Sequence, residues 1–377
     1  MKFYYRTTAT KTRLYLIQSI LVGFFSITAF FLTSCKDITQ PQTQGVVPSS
    51  RGAYILCEGL WRQDNASLSR FDAVSGMVQN NVVEMANPGL RLGDTANDLV
   101  LKGDTMFVAV STSRTIEIFR TSTAVWLGRI RFAGTRQEPR FITLLNDTTA
   151  FVTLLNDDSI QEFNPTTFAL KGSPILVGPA PEGIASTSKY VFVANSGYGD
   201  FRASEPKAGT VSVIGASTRD AATQREIKLF GGVPNVRELL VSPDKRRLYA
   251  VYTHLLSQKD SLGGVVEYDT ETLAELRRWH TKEPLSASLR NDSLFCLSAN
   301  GVAVLPLKQA LMSFATLFPA QSGNVWYSLA AHPTSGALWI GNAKNYQVNG
   351  EVMIMNIQGQ VQQRFEVGIN PNSLVFF

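Results

Sequence analysis

The sequence predicts an all-β protein: a seven-bladed β-propeller of four-stranded antiparallel blades, closed by pairing of the C-terminal strand with the N-terminal blade. The first observation is a recurring unit that opens with a proline turn, at Pro139, Pro181, Pro234, Pro284 and Pro371. The spacings are 42, 53, 50 and 87 residues, so the last interval holds two units, one without its proline. Repeats of roughly 40–50 residues are typical of propeller blades.

Short strands inside each unit are the second observation. After a first strand at "GIAS", the fourth unit contains "KYVFVAN", "GTVSVIG" and "REIKLFG". These runs are rich in β-branched and aromatic residues and lie between turn residues, which indicates strands. The unit without its proline is "GNVWYSLAAHPTSGALWIGN", from Gly323, and another unit begins at "TANDLVLKGDTMFVAV", from Thr95. With the segment that starts at Gly52, residues 52–377 contain seven units.

The two ends of the repeat region supply the third observation. The chain ends with "PNSLVFF", which matches a first strand without a blade of its own. The segment "GAYILCEGLW", from Gly52, matches a second strand without a first. Pairing these segments completes one blade and removes two exposed strand edges, so we expect the ring to close there.

Residues 1–34 are predicted to be a lipoprotein signal peptide. Basic residues precede an apolar stretch from Leu14 to Leu32, which is the layout of a secretory signal. The sequence Leu32-Thr33-Ser34-Cys35 resembles a bacterial lipobox, which would make Cys35 the lipidated residue. The alternative is a membrane-spanning helix, since about 20 apolar residues can cross a bilayer.

Residues 35–51 are the expected lipid-anchored flexible linker. The segment "KDITQPQTQGVVPSSR" is rich in Gln, Pro, Thr and Ser, and a flexible chain of this length spans roughly 20 Å. Lys36-Asp37 resembles the export signal of surface lipoproteins in Bacteroidetes-like bacteria. We therefore expect a protein anchored by lipid to the outer membrane and exposed at the cell surface, with a periplasm-facing orientation as the alternative.

Composition and charge describe a core-forming globular domain, which we expect to be monomeric. Hydrophobic residues make up 44% of the chain and charged residues 17%, unlike a disordered protein. The net charge of +5 comes largely from Lys2, Arg6, Lys11 and Arg13, and without them 31 basic residues face 30 acidic ones. Nucleic acid is not an expected partner, because a nearly neutral domain attracts phosphates weakly.

The usual catalytic and metal-binding motifs are absent from the sequence. It contains no HExxH, GxSxG, P-loop, GxGxxG, CxxC or EF-hand pattern, and only three histidines. We therefore expect no catalytic residue, metal ion or cofactor, and interpret the protein as a non-enzyme. Cys57 and Cys296 fall in predicted strands of distant units, so we expect buried free thiols and no disulfide between them.

Candidate binding residues fall on one face of the predicted ring, where the beginnings of the first strands and the loops between second and third strands converge. Three of those loops are long: "EGLWRQDNAS", "NSGYGDFRASEPKAG" and "GNAKNYQVNG". Aromatic and amide side chains there suit a large, flat ligand with a polar rim. The predicted ligand-binding residues are Trp61, Arg62, Asn97, Asp98, Arg140, Glu182, Tyr198, Arg202, Arg237, Trp326, Tyr346 and Asn372.

The strand-turn-strand segments "VFVANSG" and "GTVSVIG" resemble those of the YncE-like, or YVTN-type, seven-bladed propellers, and the resemblance covers residues 52–377. The segments "FVTLLND" and "LFCLSAN" depart from that pattern. More narrowly, "GAYILCEGLW", "NASLSRFD" and "LGDTANDLVLKGDTMFVAV" are similar to surface lipoproteins of Bacteroidetes, some of which capture vitamin B12 beside an outer-membrane transporter. The resemblance implies the propeller fold, and implies a corrinoid as one ligand.

Three classes of function follow from these features. The first is a lipid-anchored module that captures a small or medium ligand, such as a corrinoid or a similar nutrient, for an outer-membrane transporter. The second is a protein-interaction scaffold in the cell envelope. The third is a lactonase-like hydrolase, in which carboxylates such as Asp98, Glu182 and Glu238 would bind a metal ion.

Overall fold

The chain forms seven four-stranded antiparallel sheets, as the repeat spacing predicts. The computed structural model describes residues 51–218, 225–228, 235–258, 262–298, 300–309 and 313–377. The predicted signal peptide, Cys35, the linker up to residue 50 and Pro234 lie outside the described residues. No helix within the described ranges has the length and apolar character needed to cross a bilayer.

Each sheet is one blade, and blades are numbered here in chain order. Blade 1 combines both ends of the chain, in the order β28-β1-β2-β3. Its strands, together with those of blade 2, are β1 Gly52–Cys57, β2 Ser67–Asp72, β3 Val78–Gln79, β28 Pro371–Phe376, β4 Ala96–Lys102, β5 Thr105–Val110, β6 Thr115–Arg120 and β7 Trp126–Arg131. A short helix, α1 Val82–Ala86, lies between these two blades in the sequence.

Blades 3 to 5 follow with consecutive strands and the first strand innermost. Their strands are β8 Pro139–Asn146, β9 Thr149–Leu154, β10 Ser159–Phe163, β11 Leu170–Leu176, β12 Pro181–Ser186, β13 Tyr190–Asn195, β14 Thr210–Gly215, β15 Arg225–Lys228, β16 Asn235–Val241, β17 Arg247–Thr253, β18 Gly263–Asp269 and β19 Glu275–Thr281. A 3-10 turn at Gly199–Phe201 interrupts the loop between β13 and β14.

Blades 6 and 7 complete the ring. Their strands are β20 Pro284–Arg290, β21 Ser293–Ser298, β22 Gly301–Pro306, β23 Ala315–Pro319, β24 Trp326–Ala331, β25 Leu338–Asn342, β26 Asn349–Met355 and β27 Val361–Ile369. The predicted prolines Pro139, Pro181, Pro284 and Pro371 each open a first strand. Proline suits this position because its fixed φ favours the turn and its missing N–H is not needed in the ladder.

Alternation of side chains along the strands builds the core between blades. The middle strands β5, β9 and β13 are buried almost throughout, because both of their faces pack against neighbouring blades. Phe107, for example, belongs to a cluster that includes Ile142 and Val152 of the next blade. Cys57 and Cys296 are buried free thiols, which confirms the prediction for them.

Pairing between β28 and β1 closes the ring, which confirms the predicted closure. Four ladder positions, from Ala53 opposite Phe376 to Leu56 opposite Ser373, are followed by a bulge and by Cys57 opposite Pro371. Leu374 is buried among blade 1 and blade 7 residues, so β28 carries part of the core as well as hydrogen bonds.

Deleting Ser373–Phe377 should destabilise the whole ring, because it removes four of the five paired positions of β28 and the Leu374 side chain. The single change Leu374→Ala should lower the free energy of unfolding by about 2–4 kcal/mol through loss of buried surface. Denaturant unfolding measures both, with Ile357→Ala on an exposed turn as the control. A truncated protein with the stability of the full chain would refute closure by β28.

Candidate functional site

All seven first strands carry a β-bulge near their start, after the first residue of the strand or, in blade 5, after the second. In blade 5, for example, Val236 pairs with Tyr252 and Glu238 with Val251, which leaves Arg237 as the extra residue. A bulge re-aims the extra side chain away from the regular alternation of the strand. The first residues in these bulges are Asn97, Arg140, Glu182, Arg237, Leu285, Tyr327 and Asn372. Each is the second residue of its strand except Arg237, which is the third residue of β16.

Contacts between blades show that these residues gather around the mouth of the central channel. Glu182 Oε1 lies 3.4 Å from Arg140 Nη2, and Glu182 Oε2 lies 3.3 Å from Arg237 Nε. On the other side of the ring, the Asn372 side-chain amide donates to the backbone oxygen of Ala96 at 2.8 Å and to that of Asn97 at 3.2 Å. The structure thus brings the side chains of Arg140, Glu182 and Arg237 together and links Asn372 to the backbone of Asn97. The Asn97 side chain is buried and donates to Thr95 O and Ser111 Oγ within blade 2.

Tyr327 is the residue of blade 7 at this position, and the sequence analysis named its neighbour Trp326 instead. Trp326 is buried against Phe318, with ring centroids 6.1 Å apart, and belongs to the core between blades 6 and 7. Tyr327 donates a 2.6 Å hydrogen bond from its hydroxyl to Glu58 Oε2. The assignment of Trp326 to the axis is therefore wrong by one residue, because the bulge shifts which side chain faces the channel.

The loop between β13 and β14 projects two aromatic rings over this mouth. Tyr198 is half exposed and its ring centroid lies 5.5 Å from that of Phe201, whose side chain is 84% exposed. Asp200 fixes the loop to blade 5, since its carboxylate accepts hydrogen bonds from the backbone N–H groups of Leu256 at 2.7 Å and Ser257 at 3.1 Å.

Arg202, a predicted ligand-binding residue, forms ion pairs that hold this loop in place. Its Nη1 and Nη2 atoms donate to the two carboxylate oxygens of Asp158 at 2.7 and 2.6 Å, and Nε and Nη2 donate to Glu205 at 2.7 and 2.6 Å. Both carboxylates contact a single guanidinium, so Arg202 joins this loop to blade 3. The structure gives it a positioning role.

The loop between β1 and β2 places Trp61 and Arg62 on the same face. Trp61 is largely exposed, and the Arg62 guanidinium lies 4.2 Å from its ring centroid. Asp94 holds this loop, because it accepts hydrogen bonds from the backbone N–H groups of Arg62 and Asp64, both at 3.0 Å. In the third long loop, Tyr346 is half exposed and its ring lies 5.9 Å from that of Tyr327.

Two cavities open on this face and share Tyr198 as a wall. The first, of about 670 Å³, lies over blades 4 and 5 and includes Glu182, Phe201, Arg237 and His254 in its lining. The second, of about 520 Å³, includes Trp61, Glu58 and Arg140. Both volumes are in the range of small-molecule sites. Glu58, Asp200 and Tyr327 belong to this site and were not among the predicted residues.

Deeper in the channel, Asp98 and Glu238 line a third cavity of about 410 Å³ formed by the first strands. Asp98 Oδ2 accepts the backbone N–H of Ile142 at 2.8 Å, and Glu238 Oε2 accepts that of Ala287 at 2.8 Å. Burial raises the pKa of Asp98 to about 6 and that of Glu238 to about 7. Asp98 thus links blade 2 to blade 3, and Glu238 links blade 5 to blade 6, each through a hydrogen bond from side chain to backbone.

Within the described part of the chain, no group of three or more His, Cys, Asp and Glu side chains comes together in a way that could hold a metal ion. Of the histidines, His332 accepts the backbone N–H groups of Thr334 and Ser335 at its Nδ1, at 3.2 and 3.1 Å. It therefore stabilises the turn between β24 and β25. Burial lowers the pKa of His332, which favours its neutral form.

The fold and the cavities define the chain as a seven-bladed propeller with a polar channel mouth beneath aromatic loops. Residues 51–310 match a family model described as a domain of unknown function, DUF5074. Because the match covers more than half of the chain, the protein belongs to this family. No curated protein matches the chain significantly.

Solved structures share the fold at low sequence identity. A quinonprotein alcohol dehydrogenase-like protein from Bacteroides thetaiotaomicron is 14% identical, with a TM-score of 0.68 over 87% of this chain and 78% of that one. A protein described as a "putative 6-phosphogluconolactonase" from Bacteroides fragilis is 13% identical, with a TM-score of 0.63 over 90% of this chain and 100% of that one. At such identities the similarity extends to the propeller architecture alone.

Stability should fall as the pH rises from about 5 to 8, because the two channel carboxyls bind protons more tightly in the folded than in the unfolded chain. Their folded pKa values of about 6 and 7 exceed the unfolded ones, so the folded state loses its advantage as they ionise. The double change Asp98→Asn and Glu238→Gln should stabilise the protein by about 4 kcal/mol more at pH 8 than at pH 5.

Urea unfolding at the two pH values tests this expectation. Asp147→Asn, at an exposed turn, is the matched control and should leave the pH dependence unchanged. A double variant whose stability gain is the same at pH 5 and pH 8 would show that the two carboxyls are not the source.

Proposed function

We propose that the protein is a ligand-binding propeller of the cell envelope, and that it captures a small or medium ligand on the face formed by the three long loops. One observation carries this proposal: two adjoining cavities share the Tyr198 ring and lie above an Arg140–Glu182–Arg237 charge chain whose carboxylate is buried. Exposed aromatic rings beside fixed polar groups are typical of small-molecule sites.

A corrinoid delivered to an outer-membrane transporter is the ligand that we propose first. The resemblance of the blade 1 and blade 2 segments to vitamin B12-capturing lipoproteins motivates this choice. A planar macrocycle with polar arms would use the rings of Trp61 and Tyr198 for stacking and the channel mouth for hydrogen bonds. The two cavities both have Tyr198 in their linings, so a ligand that lies over this ring would contact both.

Calorimetric titration of the full chain with cyanocobalamin tests this proposal. Trp61→Ala and Tyr198→Ala should each weaken binding at least tenfold, because each removes exposed ring surface worth about 1.5 kcal/mol or more. Trp126→Ala is the matched control, since this exposed tryptophan lies on the outer strand of blade 2.

Other results, from the titration and from two further assays, would favour the alternative functions. No heat with cyanocobalamin and a stoichiometric protein partner after purification would favour an envelope scaffold. Turnover of a lactone by the pure protein, lost in Glu238→Gln, would favour a hydrolase. We propose a non-enzymatic role because the described channel carboxyls already accept backbone hydrogen bonds.

Lipid anchorage at Cys35, which we also propose, would direct the loops away from the membrane. Strand β1 runs from Gly52 to Cys57 and enters the Trp61 loop, so Arg51 lies on the opposite face of the ring. The Arg51 backbone oxygen accepts the N–H of Ala73 at 3.1 Å, next to Val74, whose side chain is 93% exposed. A linker of residues 35–51 would therefore join the ring at the turn between β2 and β3.

Fluorescent labels on Val74→Cys and Phe201→Cys test this orientation in proteoliposomes that contain a lipid-bound acceptor dye. Burial raises the pKa of Cys57 and Cys296 to about 12, so the native thiols should not react. We expect stronger energy transfer from position 74 than from position 201. Equal or reversed transfer would contradict the proposed orientation.

A further inference from the structure

The charge chain at the channel mouth has one positive charge in excess. Glu182 is buried and is the only carboxylate in ion-pair contact with Arg140 and Arg237 in the described part of the chain. Two guanidinium groups therefore share one carboxylate. The Arg140 side chain is 16% exposed, whereas that of Arg237 is 45% exposed, so the excess charge is accessible at Arg237.

Arg237 has hydrogen-bonding capacity that the described residues do not use. Its Nε contacts Glu182 Oε2, and neither Nη1 nor Nη2 has a hydrogen bond within the described ranges. The guanidinium lines the 670 Å³ cavity. Its Nη1/Nη2 edge is well suited to a carboxylate or phosphate, which it can contact through two parallel hydrogen bonds.

The other acidic groups near Arg237 accept hydrogen bonds from backbone N–H groups. Asp200 lines the same cavity, but both of its oxygens accept hydrogen bonds from Leu256 and Ser257 in the loop after β17. Glu238 accepts the backbone N–H of Ala287. Burial raises the pKa of Glu238 to about 7, so near neutral pH this carboxyl is only partly charged.

His254 gives the same cavity a second polar group without a partner. Its side chain is 8% exposed and lines the cavity, and its Nδ1 has no hydrogen bond in the described part of the chain. The nearest carboxylate oxygen of Glu283 lies 3.8 Å from its Nε2. A buried polar atom without a partner is costly, and a bound ligand or a small rotation of the ring could supply one.

Exposed apolar side chains also line the cavity, together with the polar residues Asn235 and Ser257. Tyr198, Phe201 and Leu256 surround the opening, and Leu256 and Phe201 are among the most exposed hydrophobic side chains of the described residues. The cavity thus combines one accessible cation with rings that can stack on a flat surface. Its complement is an anionic group attached to a planar or apolar body.

We propose that Arg237 binds an anionic group, a carboxylate or a phosphate, of a ligand whose planar or apolar part lies against Tyr198 and Phe201. This subsite rests on the proposed function, since it lies within the proposed ligand-binding face, but it does not require that the ligand be a corrinoid. Arg237 selects the ligand by charge, and the aromatic rings bind its body. Glu182 positions Arg237 and partly neutralises its charge.

Two dissociation constants measured on the full chain test the subsite. The probes are cyanocobalamin, which carries a phosphodiester on its nucleotide arm, and dicyanocobinamide, which lacks that arm. Arg237→Gln should weaken cyanocobalamin binding about tenfold and leave dicyanocobinamide binding unchanged, and Arg237→Lys should restore part of the loss. Arg120→Gln, a partly exposed arginine paired with Asp104, is the matched control. Equal losses for both probes would overturn the proposal.

A second probe keeps the proposal testable if neither corrinoid binds, an outcome that would reject the corrinoid ligand alone. Anilinonaphthalene sulfonate combines a planar apolar body with one anionic group, and its fluorescence reports binding. Arg237→Gln should weaken its binding at least fivefold, whereas Glu182→Gln should strengthen it because it frees the guanidinium. Variants that move in the same direction, or not at all, would overturn the proposal. Displacement by 10 mM inorganic phosphate would show that free phosphate suffices, and no displacement would show that the planar body is needed.

Discussion

Antiparallel pairing between β28 and β1 is the interaction on which the rest of the structure depends. It joins the two ends of the ring through five ladder positions, and without it blade 1 would have no innermost strand. Neighbouring blades hold β28 on both sides. Ser328 of blade 7 donates a 2.6 Å hydrogen bond to the Pro371 backbone oxygen, and Asn372 donates to the backbone of blade 2. The arrangement of the axial side chains in a closed ring therefore depends on this single strand.

A bulge repeated in every first strand lets the closed ring present side chains at the channel mouth. The strands of a propeller bury their side chains between blades, which would leave the channel mouth lined mainly by backbone. One extra residue per first strand places a side chain there without breaking the blade, and seven such residues form a ring of amide, charged, aromatic and aliphatic groups. Arg140, Glu182 and Arg237 are adjacent in space although about 40 to 55 residues separate them in sequence, because each occupies this position in consecutive blades.

The sequence could predict the fold and the position of most axial residues because both follow from local signals that repeat. Proline turns and short alternating runs located the first strands at Pro139, Pro181, Pro284 and Pro371, and the polar residues after three of these prolines, Arg140, Glu182 and Asn372, were then candidates. In blade 7 the proline is missing, so the register was set one residue early, and Trp326 was named where Tyr327 reaches the channel. Pairings between blades leave no local signal. The contacts of Arg202 with Asp158, and of Asp200 with the loop after β17, join segments about 44 and 56 residues apart and could not be read from the sequence.

Carboxylates that order the long loops explain how an exposed aromatic surface can serve as a rigid site. A flexible loop that orders only on binding loses conformational entropy at that moment, which weakens affinity. Here Asp94 holds the backbone of the Trp61 loop, and two contacts hold the middle of the Tyr198 loop: Asp158 with Arg202, and Asp200 with the loop after β17. Each acts through hydrogen bonds to N–H groups or to a guanidinium, which are stronger than bonds between neutral groups. These hydrogen bonds therefore fix the positions of the Trp61 and Tyr198 loops, and the Arg140–Glu182–Arg237 chain lies beneath the aromatic rings.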